Sequence, residues 1–250
     1  MNIAVVTGAS SGMGEYFSLM IPDYFKNIDE IWLIARRKKK LTEISKYISI
    51  PCRILNGDLL DDSFYVKLSE ELNDKSINVG LLVNCAGFGK NGTFESIAAK
   101  NAHIQSDMVR LNCCSVIRMC EAILSHMNKD SRIINVASGS AFCPQPGFAV
   151  YAATKSFVLS YSRALKMELK DRHIYVTAVC PGPVDTEFFD TAGQISSPVK
   201  KLVMARPEKV VKKALNDSLK KKELSVYGIS IKLSHIASKI FPQKLIMRFF

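Results

Sequence analysis

The chain has 250 residues, 48% of them apolar, which is enough for one ordinary globular domain with a sizeable core. No apolar run reaches the ~18 residues of a membrane span, and the chain opens on a strand pattern with no charged-then-apolar leader, so we expect a cytoplasmic protein. Seven cysteines and four histidines lack metal-ligand spacing, so we expect free thiols and no metal site.

Positive charge is concentrated in the last fifth of the chain. The formal net charge is +11, and residues 200–250 hold thirteen Lys or Arg against three acids, a net of +10. We interpret this region as a solvated helical surface. A nucleic-acid role is not expected, because the pattern shows no aromatic or groove-reading elements.

Strand and helix patterns alternate along the chain, which is typical of a parallel sheet covered on both faces. Apolar, β-branched runs predict seven strands, over 3–7, 30–35, 52–56, 79–83, 132–137, 175–180 and 224–227. Helices are predicted over 15–26, 39–49, 63–73 (capped by Ser63), most of 103–126, and 151–170. The expected fold is α/β: a single domain over 1–250, with a Rossmann-type, doubly wound parallel sheet of about seven strands.

The turn after the first predicted strand is rich in glycine. It reads Gly8-Ala9-Ser10-Ser11-Gly12-Met13-Gly14, a G-x-x-x-G-x-G spacing, and a predicted helix follows it. Strand, glycine-rich turn and helix in this order aim backbone N–H groups and a helix N-terminus at a phosphate. The turn is a candidate dinucleotide-binding site, with a tight ligand-free turn as the alternative.

Basic residues follow the second predicted strand. Arg36 and Arg37 are followed by three lysines, with no acid before Glu43. A carboxylate at this point would bind the ribose hydroxyls of NAD, whereas a guanidinium suits the 2′-phosphate of NADP. We therefore expect NADP(H) to be preferred over NAD(H), with Arg36 as the main phosphate partner and Arg37 next.

Tyr151 and Lys155 are four residues apart in a predicted helix, so they share one face. A free phenol has a pKa near ~10, and a positive charge held nearby lowers it toward neutral pH. Tyr151 is therefore a candidate general acid/base activated by Lys155. Ser138 directly follows the fifth strand and is a candidate donor of a hydrogen bond to a substrate oxygen.

Three further motifs lie at or near the ends of predicted strands or within a predicted helix. Asn84-Cys85-Ala86-Gly87, Asn112 and Pro181 to Thr186 join the glycine-rich turn, Ser138 and the Tyr151–Lys155 pair. In this order the motifs resemble the short-chain dehydrogenase/reductase family, over about residues 2–190. Cys85 stands where the family has a second Asn, and Met13 where it has Ile; neither change touches the proton-transfer groups.

The resemblance implies roles for individual residues. The catalytic set would be Asn112, Ser138, Tyr151 and Lys155, with Asn112 orienting a water that relays protons to Lys155, which also holds the nicotinamide ribose. Asp58 and Leu59 would flank the adenine. The cofactor-binding set implied by the motifs is Gly8, Ser10, Ser11, Gly12, Met13, Gly14, Arg36, Arg37, Asp58, Leu59, Asn84, Ala86, Gly87, Tyr151, Lys155, Pro181, Gly182, Val184 and Thr186. The family also implies a homodimer or homotetramer packed through the helices near Asn112 and Tyr151.

The expected substrate is a small apolar molecule. Residues 187–206 would form a substrate loop, and residues 141–147 a second wall; both are rich in apolar side chains and look like those of members that act on steroids and long-chain ketoacyl groups. We expect NADP(H)-dependent interconversion of a ketone and a secondary alcohol on a bulky, steroid-like substrate. Reduction of 3-ketoacyl thioesters of acyl carrier protein or coenzyme A, and a non-catalytic dinucleotide sensor, remain as alternatives.

Residues 228–250 form a basic amphipathic segment that Pro242 interrupts. Such a segment covers an apolar substrate, lies in a subunit interface, or rests on an anionic membrane. We favour a cover or an interface over membrane contact.

Overall fold

The computed structural model describes residues 1–74, 76–193 and 204–247. Seven parallel strands form one sheet in the order β3-β2-β1-β4-β5-β6-β7. They are β1 Asn2–Thr7, β2 Glu30–Ala35, β3 Cys52–Asn56, β4 Asn78–Asn84, β5 Arg132–Val136, β6 Tyr175–Pro181 and β7 Leu224–Tyr227. The α/β fold and all seven strands are confirmed, because buried apolar runs bounded by turns are what parallel strands require.

Helices cover both faces of this sheet. They are α1 Gly12–Tyr24, α2 Lys38–Ser45, α3 Asp62–Glu71, α4 Phe94–Lys100, α5 Ile104–Val109, α6 Ser115–Leu124, α7 Ala149–Glu168, α8 Phe188–Ala192, α9 Pro207–Leu219, α10 Ile229–Ile240 and α11 Gln243–Ile246. Alternate strand residues feed two cores: Ile3 and Val5 join α3, α6 and α7, whereas Ala4 and Val6 join α1, α2 and α9. Among the described residues, no helix combines the length and apolarity needed to cross a membrane.

The structure corrects three predicted details. The helix expected within 103–126 is interrupted by a π-helical turn, Arg110–Cys114, between α5 and α6. Helix α3 is capped by Asp61, whose carboxylate accepts the Ser63 N–H at 2.9 Å, and not by Ser63. Helices α4, α8 and α9 were not predicted from the sequence, although Thr93 caps the first by accepting the Ser96 N–H and Pro207 begins the last.

Candidate active site

Tyr151 and Lys155 lie on one face of α7, both buried. Lys155 Nζ donates a hydrogen bond to the Val136 carbonyl at 2.9 Å, which ties α7 to the end of β5. The same Nζ lies 5.6 Å from the centre of the Tyr151 ring. The four-residue spacing therefore places an ammonium beside the phenol, at the carboxyl edge of the sheet.

Burial dominates the ionisation of this pair. Burial raises the pKa of Tyr151 to about 12, and interaction with the Ser138 hydroxyl only partly opposes it. Burial also lowers the pKa of Lys155. In the chain without a cofactor, burial is therefore the largest influence on the Tyr151 pKa, which lies above its usual range and not toward neutral pH. The Tyr151 hydroxyl is therefore protonated at neutral pH, and in this form it can donate a proton.

Ser138 follows β5 and begins the 3-10 turn Gly139–Phe142. Its backbone is extended, and its Oγ accepts the Ser140 N–H at 3.1 Å. The hydroxyl hydrogen is not needed for that bond, so it is free to be donated elsewhere. Ser138 lines the same cavity as Tyr151 and Lys155.

Asn112 lies behind this group, in the π-helical turn. Its Oδ1 accepts the Phe88 N–H at 3.0 Å, and its Nδ2 donates to the Phe88 carbonyl at 2.9 Å and to Thr154 Oγ1 at 3.0 Å. A Cβ on Gly87 would lie 2.8 Å from Asn112 Oδ1 and 3.5 Å from Lys155 Nζ. The Asn112 side chain thus makes protein contacts through both of its polar atoms, and these hold the loop after β4 against α7.

Asn84 lies at the end of β4 as expected, and its side chain bonds within the core. Its Nδ2 donates to Asn135 Oδ1 at 2.9 Å, and Asn135 Nδ2 donates to Ser162 Oγ at 2.9 Å, all within the core. Leu59 is also a core side chain. At these two positions only the main chain is available to a cofactor.

The glycine-rich turn packs against the end of β4. Gly8 has φ +68°, and a Cβ there would lie 2.9 Å from backbone atoms of Ala86. Thr7 Oγ1 accepts the N–H groups of Cys85 and Ala86 at 3.0 and 3.1 Å, which joins the two motifs. A Cβ on Gly14 would collide with the Gly8 carbonyl, so glycine lets α1 approach the turn.

The N-terminus of α1 has no side-chain cap: Ser11 is extended and makes no capping bond. The first N–H groups of a helix need partners, and phosphate oxygens supply them. Gly12, at φ +55°, sits so close to Thr186 that a Cβ would lie 3.1 Å from its side chain. This narrow, uncapped cradle fits a dinucleotide pyrophosphate.

The two arginines after β2 have different surroundings. Arg37 donates from Nε to Ser10 Oγ at 3.2 Å and from Nη2 to the Ser10 carbonyl at 3.1 Å, and its Nη1 pairs with Glu187 at 2.8 Å. Arg36 is more exposed and pairs only loosely with Asp58, at 3.7 Å. Arg37 therefore links the glycine-rich turn to the start of the substrate loop, whereas Arg36 has the freer guanidinium.

A cavity of about 440 Å³ opens in front of Tyr151. Phe148 stacks on the Tyr151 ring with centroids 4.3 Å apart, and Phe188 lies at 5.4 Å. From the predicted site residues the cavity gathers Met13, Gly87, Ser138, Tyr151, Lys155, Pro181, Gly182, Val184 and Thr186. The remaining predicted cofactor residues lie outside this cavity, along the glycine-rich turn and the ends of β2, β3 and β4. The lining is mostly apolar, and the rings of Phe148 and Phe188 lie beside Tyr151.

Some of the lining was missed by sequence reasoning. Phe148 and Asn91 also line the cavity. The α10 residues Ser230, Ile231 and Ser234 line it as well, and they belong to segment 228–250, which we expected to act as a cover or an interface. Only Phe148 carried a usable signal, since it lies three residues before Tyr151 at a helix start. Of the expected substrate loop, Phe188 and Phe189 line the cavity, whereas Ile195, Leu202 and Val203 lie outside the described residues.

Comparison with known proteins gives consistent matches. A family model described as short chain dehydrogenase matches residues 2–195. The 17-beta-hydroxysteroid dehydrogenase type 3 of Mus musculus is 27% identical over 98% of this chain and 80% of its own length. Its Homo sapiens counterpart is 32% identical over 73% of this chain, and the match covers 59% of its length. Very-long-chain 3-oxoacyl-CoA reductase-B of Danio rerio is 29% identical over 98% of this chain and 78% of its length.

Solved structures share the whole architecture. A short-chain dehydrogenase from Sphingobium yanoikuyae in complex with NADPH has a TM-score of 0.80 at 24% identity, covering 98% of this chain and 95% of that one. A short chain dehydrogenase/reductase from Burkholderia phymatum in complex with NAD has a TM-score of 0.79 at 17% identity, covering 96% and 94%. At such identities the likeness shows the fold alone.

Proposed function

Because the chain belongs to the short-chain dehydrogenase family, we propose that it is an NADP(H)-dependent oxidoreductase that interconverts a ketone and a secondary alcohol on a bulky, apolar, steroid-like substrate. The observation that carries the proposal is the cavity: an aromatic, largely apolar space of about 440 Å³ meets Ser138, Tyr151 and Lys155 at one end. Volumes of this order hold small-molecule ligands, and a few convergent polar groups orient them.

Proton transfer is the part of the reaction that the chain's own residues perform. A bound nicotinamide would supply or accept the hydride. The protonated Tyr151 hydroxyl donates its proton to the substrate oxygen during reduction and receives it back during oxidation. Ser138 donates a second hydrogen bond to the same oxygen, which stabilises the charge that develops there. Lys155 places a positive charge near both groups and has donors left for a ribose.

Preference for NADP(H) rests on the residues after β2. No carboxylate directly follows that strand; Arg37 donates to Ser10 in the glycine-rich turn, and Arg36 pairs with Asp58 after β3. Arg36 is the better candidate for the 2′-phosphate, because its one contact, with Asp58, is long and exposed. Arg37 is already engaged by Ser10 and Glu187.

A screen of NADPH consumption tests the proposal. The purified chain is assayed with steroid ketones, 3-ketoacyl thioesters and simple aldehydes, and Tyr151→Phe serves as the catalytic control. We expect turnover with a bulky apolar ketone that depends on Tyr151. Turnover restricted to small aldehydes would contradict the substrate class. NADPH binding without turnover on any ketone would instead favour the dinucleotide sensor.

Reduction of 3-ketoacyl thioesters is the second candidate. It is supported by the similarity to the Danio rerio reductase and by exposed lysines on α9 and after it, including Lys209, Lys212 and Lys220. Such a surface suits an acidic carrier or the phosphates of coenzyme A. The same screen separates the two, since a steroid-specific enzyme does not turn over acyl thioesters.

We further propose a homodimer or homotetramer that packs through α5, α6 and α7. Val109 on α5 and Phe157 on α7 expose 42% and 39% of their surface, and an assembly through these helices would cover both side chains. Sedimentation velocity measures the assembly; a monomer would contradict this part of the proposal.

A further inference from the structure

Helix α10 presents apolar side chains on two opposite faces. On the inner face, Ile231 approaches the turns at Gly139 and Gly182: a Cβ on Gly182 would lie 2.9 Å from its Cγ1. Ser230, Ile231 and Ser234 line the cavity, and His235 stacks on Phe142 with centroids 4.3 Å apart. These contacts of the inner face attach α10 to the rest of the protein.

The outer face is a continuous apolar stripe. Ile229, Leu233, Ile236 and Ile240 are spaced i, i+4, i+7 and i+11, and they expose 78%, 61%, 53% and 69% of their surface. Phe241 and Leu245 extend the stripe past the helix end, at 52% and 44% exposed. Within the described part of the chain α10 has no buried residue. A contiguous apolar patch of this kind marks a surface that binds something.

Lysines flank the outer face, and no acid is near it in the sequence. Lys232 and Lys239 are exposed and lie roughly 60–80° around the helix from the stripe, given ~100° per residue. Lys244 is exposed in α11, and no Asp or Glu occurs after Glu223. If two copies paired antiparallel through this face about a two-fold axis, the lysines of both copies would lie on the same side of the contact and repel each other. Charge complementarity therefore favours an anionic surface over a second copy.

We propose that α10 and α11 dock this protein on an anionic lipid surface, with the outer face (Ile229, Leu233, Ile236, Ile240, Phe241 and Leu245) in the acyl-headgroup boundary and the lysines among the headgroups. The proposed docking does not depend on which reaction the protein catalyses. A consequence rests on the proposed function: the helix that touches lipid is also a wall of the substrate cavity, so an apolar substrate dissolved in the bilayer lies one helix away from Tyr151.

Vesicle flotation of the full chain tests the docking. Vesicles of phosphatidylcholine alone are compared with vesicles that also contain phosphatidylserine. We expect binding only to the anionic vesicles. Leu233→Ser/Ile240→Ser should reduce it at least about 10-fold, because two side chains lose burial in the boundary. Lys232→Glu/Lys239→Glu should reduce it by at least about 30-fold, since each lysine near such a surface contributes about fivefold and the glutamates add repulsion.

Matched variants control for general effects. Val66→Ser/Met167→Ser removes two apolar side chains of similar exposure, 62% and 67%, on α3 and α7. Lys129→Glu/Lys170→Glu makes the same charge change just before β5 and β6, at the opposite edge of the sheet. Both should bind vesicles within about twofold of the unmutated chain. Circular dichroism melts of every variant confirm that it is folded.

Three results would overturn the docking. One is absence of binding to anionic vesicles, and another is equal binding by Leu233→Ser/Ile240→Ser. The third is a smaller oligomer for Leu233→Ser/Ile240→Ser with unchanged vesicle binding, which would make the outer face a subunit interface. None of these experiments measures turnover, so the docking can be judged even if the protein does not catalyse the proposed reaction.

Discussion

Asn112→Ala isolates the contact that joins the loop after β4 to the catalytic helix. The side chain is 1% exposed and makes three hydrogen bonds, two with the Phe88 backbone and one with Thr154. Alanine removes all three. Thr154 keeps its bond to the Tyr151 carbonyl at 2.7 Å, so the main loss is at Phe88.

The cost in stability follows from the two backbone groups left without partners. An unpaired, buried N–H or C=O costs about 1–3 kcal/mol. Phe88 is only half-buried, and water reaches part of it, so we expect a total of about 2–4 kcal/mol. For a chain of this size that corresponds to a fall in Tm of about 5–15 °C.

We expect a loss of turnover in addition to the loss of stability. Gly87, in the loop that Asn112 holds, lies close to both Asn112 Oδ1 and Lys155 Nζ. Movement of the loop by about 1 Å would misplace Lys155 and anything it holds, and such misplacement reduces turnover about 10²-fold. The assay is NADPH consumption at a temperature where the variant is fully folded, together with a thermal melt.

Asn135→Ala is the matched control. Asn135 is also a buried amide in β5, and its side chain bonds to Asn84 and Ser162. The neighbouring Val136 binds Lys155 only through its main-chain carbonyl, which the substitution leaves in place. It should lose a similar amount of stability and keep turnover within a fewfold of the unmutated chain. If the two variants lost equal activity at equal folded fraction, Asn112 would be a structural residue only and the reasoning would be refuted.

Other predictions concern the proton donor and the cofactor. Tyr151→Phe removes the acid/base hydroxyl and should lower turnover by at least ~10²-fold with NADPH binding retained by fluorescence; near-normal turnover would exclude the assignment. Since burial raises the Tyr151 pKa to about 12, its protonated form persists below that pH, and the ultraviolet difference between the unmutated chain and Tyr151→Phe should show no phenolate below about pH 10 in the absence of cofactor. A phenolate signal near neutral pH would contradict this. Arg36→Asp should reduce the ratio of kcat/KM for NADPH to kcat/KM for NADH by about 10–100-fold, because the variant loses one charge-assisted hydrogen bond to the 2′-phosphate. Equal kcat/KM for the two cofactors in the unmutated chain would contradict the preference for NADPH.

Local patterns in the sequence were sufficient for the architecture. Each strand is a short apolar run whose neighbours in the chain are turns and helices, so its position follows from residues close in sequence. The shared face of Tyr151 and Lys155 follows in the same way from helix geometry alone. The strand ends then bring Ser138, Gly87 and Pro181 to one edge, because parallel strands align their carboxyl ends.

Tertiary contacts decided what these residues do there. The sequence places an ammonium beside a phenol, but only the surrounding packing shows that burial raises the pKa of Tyr151 and leaves it protonated. Asn84 and Asn112 are both motif residues, yet the side chain of one bonds inside the core and that of the other holds the Phe88 loop, because their partners are distant in sequence. The stripe of α10 was visible as a pattern, and only the fold showed which face meets the cavity and which meets solvent. Burial and long-range hydrogen bonds depend on residues that are far apart in the chain. Local sequence patterns therefore do not predict the protonation state of Tyr151 or the partners of the two asparagines.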